Sequence, residues 1–461
     1  MTYGTTCAVG GPTVLISGAS VAGPALAYWL RRYGYRPTVV EVAPALRGGG
    51  FAVDFRGSAS LTVLERMGVL DEVRRHRTGG SPTSFIDERG REVAALPPEF
   101  AGGEVELLRS DLSRILYEHS LYGHGRPDSE LYEQAVQPSG GRDFDGQDTA
   151  DRRLRGPGRR GTEPLAEKEG EVGAPLVEYV FADSIASLTE TADGVHVTFE
   201  RGAPRTFDLV IGADGLHSTV RRLAFGPEEK FVSHLGYYIA GWDLPTGNDD
   251  LDTRPVGYNE PGRFISVGRT TRRAGEPGYE GETFCVFASD ELTYDRRDTE
   301  GQKKLISQAY KGGGWRTEEL AQTVWGTDGL YFDSISRVDV PRWSTGRIAL
   351  LGDAAYGATV GGMGTGSAVV GAYVLAGELA AAGGDHVRAF ARYEEQLRPF
   401  VTQCQEGGRG AGEFLAPSTQ EAIDARNTLL NNPQAVAAML QEGEDISAAI
   451  ELRAYGADER G

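Results

Sequence analysis

The spacing of apolar and polar positions changes period twice within the first forty residues. The run Thr13-Val14-Leu15-Ile16 is short, apolar and rich in β-branched residues, the pattern of a strand buried on both faces. Gly18 to Gly23 then supplies a turn, and Ala25 to Tyr33 carries helix-forming residues as far as Gly34. Pro37-Thr38-Val39-Val40-Glu41 returns to a strand. Strand, turn, helix and strand in that order call for a parallel sheet with a right-handed crossover. Further along, the pattern predicts helices at Ser60 to Met67 and Arg109 to His119, with a hairpin from Phe85 to Leu96 between them. Strands follow at Val177 to Phe181, Val195 to Phe199 and Phe207 to Ile211.

Residues 231 to 340 hold strand-like runs separated by turn clusters. Tyr237-Tyr238-Ile239-Ala240, Arg263-Phe264-Ile265-Ser266-Val267 and Thr283-Phe284-Cys285-Val286-Phe287 are the clearest, and they read as an antiparallel sheet. Gly346 to Leu351 returns to a buried parallel strand, and Ala368 to Ala382 is an apolar helix. From Ala389 to Tyr455 the tail is helical by propensity, with breaks expected at Pro399, Gly407 to Gly412 and Pro433.

Length and charge narrow the picture. A chain of 461 residues calls for two or three domains and has room for a cleft between them. Its 47 Lys and Arg against 66 Asp and Glu give a formal charge of −19, which repels nucleic acid and anionic membranes. The basic exception is Arg152 to Arg160, inside a stretch from 121 to 175 rich in Gly, Pro, Arg, Asp and Glu. Such a composition buries too little apolar surface to offset ordering entropy, so a disordered surface insertion is expected there. Cys7, Cys285 and Cys404 are too far apart in sequence for a redox or zinc pair, and the seven histidines lack metal-ligand spacing. No metal is expected. Residues 1 to 30 carry no charge, yet Gly10, Gly11, Pro12, Gly18, Gly23 and Pro24 interrupt them and no basic start precedes them. Neither a secretion signal nor a membrane anchor fits, so a soluble cytoplasmic protein with a buried first strand is expected.

The candidate chemistry begins at Gly18-Ala19-Ser20-Val21-Ala22-Gly23, a variant dinucleotide fingerprint placed after a strand and opening a helix. Glycines there let the backbone approach a pyrophosphate, and the amides and dipole of the new helix face its charge. Ser20 stands where the middle glycine is usual. Glu41, ending the second strand, can accept the hydroxyls of an adenosine ribose and would repel a 2′-phosphate, which points to bound FAD or NAD rather than NADP.

Two further motifs decide between these. Asp208-Leu209-Val210-Ile211-Gly212-Ala213-Asp214-Gly215-Leu216-His217-Ser218-Thr219-Val220-Arg221 is a strand followed by Asp-Gly, then Ser and Arg at fixed steps. Ile348-Ala349-Leu350-Leu351-Gly352-Asp353-Ala354-Ala355 is a strand ending in Gly-Asp. With these three motifs in order, the chain resembles the para-hydroxybenzoate hydroxylase-like class of single-component flavoprotein monooxygenases, including the tetracycline-inactivating enzymes and polyketide hydroxylases. The resemblance covers nearly the whole chain apart from 121 to 175 and the tail. It implies that Asp353, after Gly352, holds the flavin's ribityl chain, that Arg109 contacts FAD, and that Asp54 is a flavin-contacting acid. It implies a nicotinamide-phosphate contact at Arg47. Asp214 and Arg221 match residues assigned to FAD and to the reduced nicotinamide, with a purely structural turn and ion pair as the competing account. Gly361-Gly362-Met363-Gly364-Thr365-Gly366 would bring the amides of the apolar helix to the flavin's pyrimidine edge. Tyr356, Thr359, Val360 and Val42 depart from the residues that relatives often carry at those places.

The fold expected is therefore an α/β, Rossmann-like FAD-binding domain with a parallel sheet, an antiparallel-sheet substrate domain and a helical C-terminal tail. Residues 1–84, 106–120, 176–230 and 341–385 are assigned to the first, 85–105 and 231–340 to the second, and 386–461 to the tail. The activity expected is hydroxylation of a small aromatic or enolic, polyketide-like or antibiotic molecule through a flavin C4a-hydroperoxide, with NADPH or NADH and O₂ as co-substrates. Baeyer–Villiger insertion on the same fold and a non-catalytic, drug-sequestering flavoprotein are the alternatives. A nicotinamide dehydrogenase would leave the second and third motifs without a role. Tyr238 and Arg263, on strands after residue 231, are the candidates for touching substrate. The sequence leaves monomer and homodimer equally open.

Overall fold

The chain enters through β1 (Thr13–Ser17), α1 (Ala22–Arg32) and β2 (Arg36–Glu41), and β1 pairs in parallel with β2 as the apolar pattern requires. β3 (Ala52–Phe55) leads into α2 (Gly57–Met67) and α3 (Leu70–Arg75). The hairpin β4 (Thr83–Ile86) and β5 (Glu92–Leu96) follows, and then β6 (Val105–Leu108), which pairs with β3 and runs straight into α4 (Arg109–Tyr122). The structure, a computed structural model, describes residues 10–46, 48, 51–78, 83–97, 103–122, 177–244, 255–271, 279–327, 329–358 and 363–456. Arg47, Cys7 and nearly all of the insertion expected at 121–175 lie outside the described residues.

Beyond that gap come β7 (Glu178–Phe181), a meander of β8 (Ile185–Thr191), β9 (Gly194–Phe199) and β10 (Arg205–Phe207), then β11 (Leu209–Gly212) and α5 (Thr219–Ala224). The long strand β12 (Val232–Asp243) opens the antiparallel region, followed by β13 (Val256–Glu260), β14 (Arg263–Thr271) and β15 (Tyr279–Ala288). Next are α6 (Thr299–Ala309), α7 (Thr317–Gln322), β16 (Tyr331–Val338), β17 (Ser344–Thr345), β18 (Ile348–Leu350) and the short α8 (Asp353–Tyr356). Five further helices end the described chain: α9 (Gly364–Ala381), α10 (His386–Gly408), α11 (Ala411–Leu415), α12 (Gln420–Leu430) and α13 (Pro433–Ser447).

Two large sheets result. The first runs β17-β18-β11-β1-β2-β7, parallel except at the β17 edge. The second runs β16-β12-β15-β14-β13-β4-β5 and is antiparallel except where β4 meets β13. The hairpin thus belongs to the second sheet although it precedes that sheet's other strands by more than a hundred residues.

The expected strand Phe207 to Ile211 is two strands in two sheets. Asp208 breaks it: its Oδ2 accepts from both the amide and the hydroxyl of Thr13, at 2.7 and 2.8 Å, and its own amide donates back to Thr13 Oγ1 at 3.0 Å. This reciprocal clamp hands the chain from the antiparallel partner β9 to the parallel partner β1. Within 231 to 340, α6 and α7 lie where only strands were expected, and they bury Ile306, Tyr310, Leu320 and Ala321 against one face of the second sheet. The break expected at Pro399 does not occur, because α10 continues through it. A buried stripe of Phe390, Tyr393, Leu397, Phe400, Val401 and Cys404 outweighs the roughly 3 kcal/mol that an interior proline costs a helix.

At the centre lies α9, apolar on every side and packed among α1, α2 and α10. No described helix is long and apolar enough to cross a membrane. The acid on α9, Glu378, is fully buried and holds the end of the chain: Arg453 Nη1 donates to its Oε1 at 2.8 Å and the Tyr455 hydroxyl at 2.9 Å. The Tyr455 ring lies over Gly377, where a methyl group would overlap it. Gly377→Ala is expected to destabilise the protein by about 1–3 kcal/mol through overpacking, and Tyr455→Ala by about 3–5 kcal/mol through a cavity. Urea unfolding of the double variant should show a loss smaller than the sum, since each change relieves the other; strict additivity would mean that the ring does not pack there.

Candidate functional site

The turn after β1 is built for close approach. Gly18 has φ of +105° and donates its amide to the Val40 carbonyl at 2.8 Å. A side chain at Gly23 would overlap the carbonyl oxygen of Gly18, so the helix can cross the strand only without one. The N-cap of α1 is Val21, which offers no side-chain oxygen, and no acid stands in the first turn. Its first amides are left for an external anion. Half-buried Ser20 sits in this turn. Glu41 closes it from the second strand, its Oε2 accepting from the Ala19 amide and its Oε1 from the Ala43 amide, each at 2.9 Å. Each carboxylate oxygen has a second lone pair, which suits a ribose hydroxyl.

A second group of residues gathers where α8 and α9 begin. Gly352 takes φ of +65° and turns the chain so that Asp353 opens α8. The Asp353 carboxylate is half-buried and receives no hydrogen bond among the described residues. Burial pushes its pKa up, and the charge of Arg109 opposes that shift. Arg109 itself is exposed at the start of α4 and is tied by its amide to the Phe51 carbonyl at 3.2 Å. Gly364 is the first residue of α9, close to Asp353 Oδ1. The α9 N-cap, Met363, has φ of +51° and gives no side-chain cap, and the first turn holds no acid. Asp54 is bonded to Arg56 Nε, and both line a small cavity with Ser60, Met363, Gly366 and Ser447. The structure therefore brings Asp54, Arg109, Gly352, Asp353 and Gly364 to one region.

The Asp-Gly motif is a structural clamp. Asp214 Oδ2 accepts from Ser17 Oγ and the Val220 amide, both at 3.1 Å, while Oδ1 accepts from Ser218 Oγ; burial raises its pKa. Ser218 in turn caps α5 through the Arg221 amide at 3.0 Å. Arg221, expected as a nicotinamide contact with a structural role as the alternative, is enclosed. Its side chain is wholly buried, with Nη1 donating to the Ala354 carbonyl at 3.0 Å and Nη2 to the Leu216 carbonyl at 2.6 Å. A guanidinium bonded in this way ties the motif to α8.

Tyr238 and Arg263 share one face of the second sheet, the face that carries Phe287. Strand side chains alternate, so Tyr238 and its neighbour Ile239 lie on opposite sides. Tyr238 is buried under α6 and α7, stacked on Phe287 and Phe332 at 5.7 and 5.5 Å, and its hydroxyl accepts from the Leu292 amide at 2.8 Å. Arg263, opposite Phe287 in the register, lies on that same side, near Glu260 at 3.9 Å. The other face carries Ile239, Phe284, Tyr331 and Ile335. Here Phe51 fills the space above Gly241 and meets Phe284 and Tyr331 edge to face, at 5.1 and 5.3 Å. The charges of Arg109 and Asp353 both reach Tyr331. Phe51, Phe284 and Tyr331 were missed in the sequence, although the period-two alternation around Ile239 was available to find them once the face was known.

This geometry fits FAD. The first turn offers uncapped amides and the Glu41 carboxylate, and the second region offers the half-buried Asp353, with no hydrogen bond among the described residues, beside another uncapped helix N-terminus. Comparison with known proteins agrees. The family described as the FAD binding domain matches residues 12–242. An uncharacterized protein of Mycobacterium tuberculosis is 39% identical over 402 residues, covering 85% of this chain and 91% of that protein. A flavin-dependent monooxygenase of Legionella longbeachae is 32% identical over 406 residues, covering 86% and 87%. Among solved structures, the tetracycline destructase Tet(51) superposes with a TM-score of 0.73 at 28% identity, over 96% of this chain and 99% of that one. Tet(55) gives 0.71 at 30% identity over the same shares. With a family match across half its length and relatives of this identity over most of the rest, the chain belongs to the FAD-dependent monooxygenases.

Proposed function

We propose that this monooxygenase takes electrons from NADPH or NADH and places one oxygen atom of O₂ on an electron-rich carbon of a phenolic or enolic, polyketide-like molecule. The observation that carries the substrate class is the aromatic group Phe51, Phe284 and Tyr331, on the sheet face toward Arg109 and Asp353. Flat apolar rings at edge-to-face angles suit a flat, partly aromatic molecule. The likeness to the tetracycline destructases Tet(51) and Tet(55) supports tetracycline-like compounds as the first to try.

Bound FAD would supply the activation of O₂. The chain's own residues do the rest. Gly18, Ser20, Gly23 and Glu41 would hold the adenosine and pyrophosphate end, and Asp353, Gly352, Arg109 and Asp54 the other. The α9 amides beyond Gly364 would stabilise the negative charge of the reduced ring. Asp214 contributes by keeping β1, α5 and the turn in register. The second sheet and its aromatic face exclude water from the reacting atoms. No second glycine fingerprint follows Glu41, so the nicotinamide would dock transiently, with Arg47 as its proposed phosphate contact.

Asp353→Ala is expected to purify with far less flavin, read as the 450 to 280 nm absorbance ratio; full occupancy would contradict the role given to the Gly-Asp motif. Arg221→Ala should lose about 3–5 kcal/mol of stability, as when one partner of a buried polar network is removed. A stable Arg221→Ala with only a raised KM for NADPH would instead support a nicotinamide contact at Arg221. Tetracycline and simple phenols should be screened for faster NADPH oxidation and a product heavier by one oxygen. Acceleration without a product of that mass, or binding without acceleration, would exclude oxygen transfer to the compound tested. For an active compound, Tyr238→Phe should leave KM unchanged and Tyr331→Ala should raise it several-fold.

A further inference from the structure

The two faces of the second sheet treat their aromatic rings differently. Under α6 and α7, Tyr238 and Phe287 are 1% and 4% exposed, as rings in a closed core are. On the opposite face Phe51, Phe284 and Tyr331 all stay half-buried, although they meet edge to face. These three surround Gly241, which pairs in register with Phe284 on β15 and with Tyr331 on β16.

A glycine inside a strand weakens it and packs nothing itself, and it marks a place where another group approaches the backbone closely. At Gly241 that group is the ring of Phe51. A Cβ there would lie 2.0 Å from both Cε1 and Cζ of the ring, so the leading edge of Phe51 stands where any other residue on β12 would carry its side chain. Phe284 and Tyr331 form the walls of this notch, with ring centroids 5.1 and 5.3 Å from that of Phe51. The notch thus takes a six-membered ring, edge first.

Phe51 reaches it from outside the sheet. The residue precedes β3, and its carbonyl accepts from the Arg109 amide at 3.2 Å. That bond fixes the main chain and not the side-chain torsion, so a change of rotamer swings the ring out while the strand stays in place. The notch also lies on the side of the sheet toward the cofactor residues, since the charges of Arg109 and Asp353 both reach Tyr331.

We propose that the Gly241 notch is the ring subsite for the substrate, and that Phe51 is a placeholder which the substrate's own ring displaces. This rests on the phenolic or enolic substrate class proposed above. The ligand is a flat six-membered ring, its edge over Gly241 and its sides against Phe284 and Tyr331, in the contacts that Phe51 makes now. With Phe51 in place the notch is closed to water, and on binding one apolar ring replaces another. Selectivity follows from the shape: a puckered ring, or one crowded by substituents along its leading edge, cannot take the position of Phe51.

The test uses the FAD-loaded protein carrying 4-fluorophenylalanine at position 51, with phenol and tetracycline as probes. Equilibrium dialysis gives the Kd of each probe, and the ¹⁹F resonance is followed in the same titration. The resonance should move to its solvent-exposed position with the same Kd. Phe51→Ala removes the competitor and should bind probe about tenfold tighter, because the wild type offers the notch only in the fraction of molecules whose Phe51 has swung out. Phe51→Leu gives the same comparison if Phe51→Ala does not fold. Gly241→Ala fills the notch and should weaken binding about tenfold, and Phe51→Ala should bring no gain in that background. A probe that binds the wild type with the ¹⁹F signal unmoved, or binds Phe51→Ala more weakly, would make Phe51 a fixed wall and overturn the proposal. Absence of binding to both wild type and Phe51→Ala would overturn it too. Product mass tests the reaction separately: a probe that displaces Phe51 yet gives no product heavier by one oxygen upholds the subsite and removes oxygen transfer to that probe.

Discussion

Everything at the cofactor end of this molecule depends on how closely α1 crosses β1. The carbonyl of Gly18 occupies the space where a side chain of Gly23 would stand, so the two backbones touch. That contact aims the uncapped amides of α1 at the end of the parallel sheet, where Glu41 and Asp214 arrive from the two neighbouring strands. Both acids then secure the turn, Glu41 through the Ala19 amide and Asp214 through the Ser17 hydroxyl. A larger residue at either glycine would lift the helix and uncouple all of these groups together.

Segments buried on both sides were legible in the sequence. Thr13 to Ile16, Pro37 to Glu41 and the apolar helix expected at Ala368 to Ala382 have no polar face to confuse the reading; the two strands appear at nearly their expected bounds, while the helix already begins at Gly364. Segments whose fate depends on a distant partner were not. Phe207 to Ile211 looks like one strand, and only the pairing of Asp208 with Thr13 divides it. Pro399 looks like a break, and only the depth of the stripe against α9 overrides it. The helices α6 and α7 carry few apolar residues, and what they cover is visible only from the sheet.

Site residues divide along the same line. Motif positions that act through backbone geometry, such as Gly18, Gly23 and Gly352, declare themselves locally because only a glycine tolerates the required φ or approach. Arg221 did not, since a fixed spacing after Asp-Gly says nothing of whether the guanidinium ends in solvent or under α8. For Tyr238 and Arg263 the alternation along the strand was readable, but its phase was not. One residue's shift in phase separates the face covered by α6 and α7 from the face that meets Phe51.

The order in which the first sheet is assembled has a consequence for synthesis. β11 lies between β1 and β18, so the edge of β1 is open until β11 is made, and the growing sheet then keeps an open edge until β18 arrives, roughly 300 residues after β2. At ribosomal speeds of about 5–20 residues per second, that is on the order of 15–60 seconds. During this interval the nascent chain exposes an apolar strand edge and the surface later covered by α9, a template for pairing with other chains. The glycine turn can form early, but the acid of the Gly-Asp motif and the helix beyond it arrive late. Flavin capture is then a late event, and a nascent chain stalled before residue 348 would be a client for chaperones rather than a partly active enzyme.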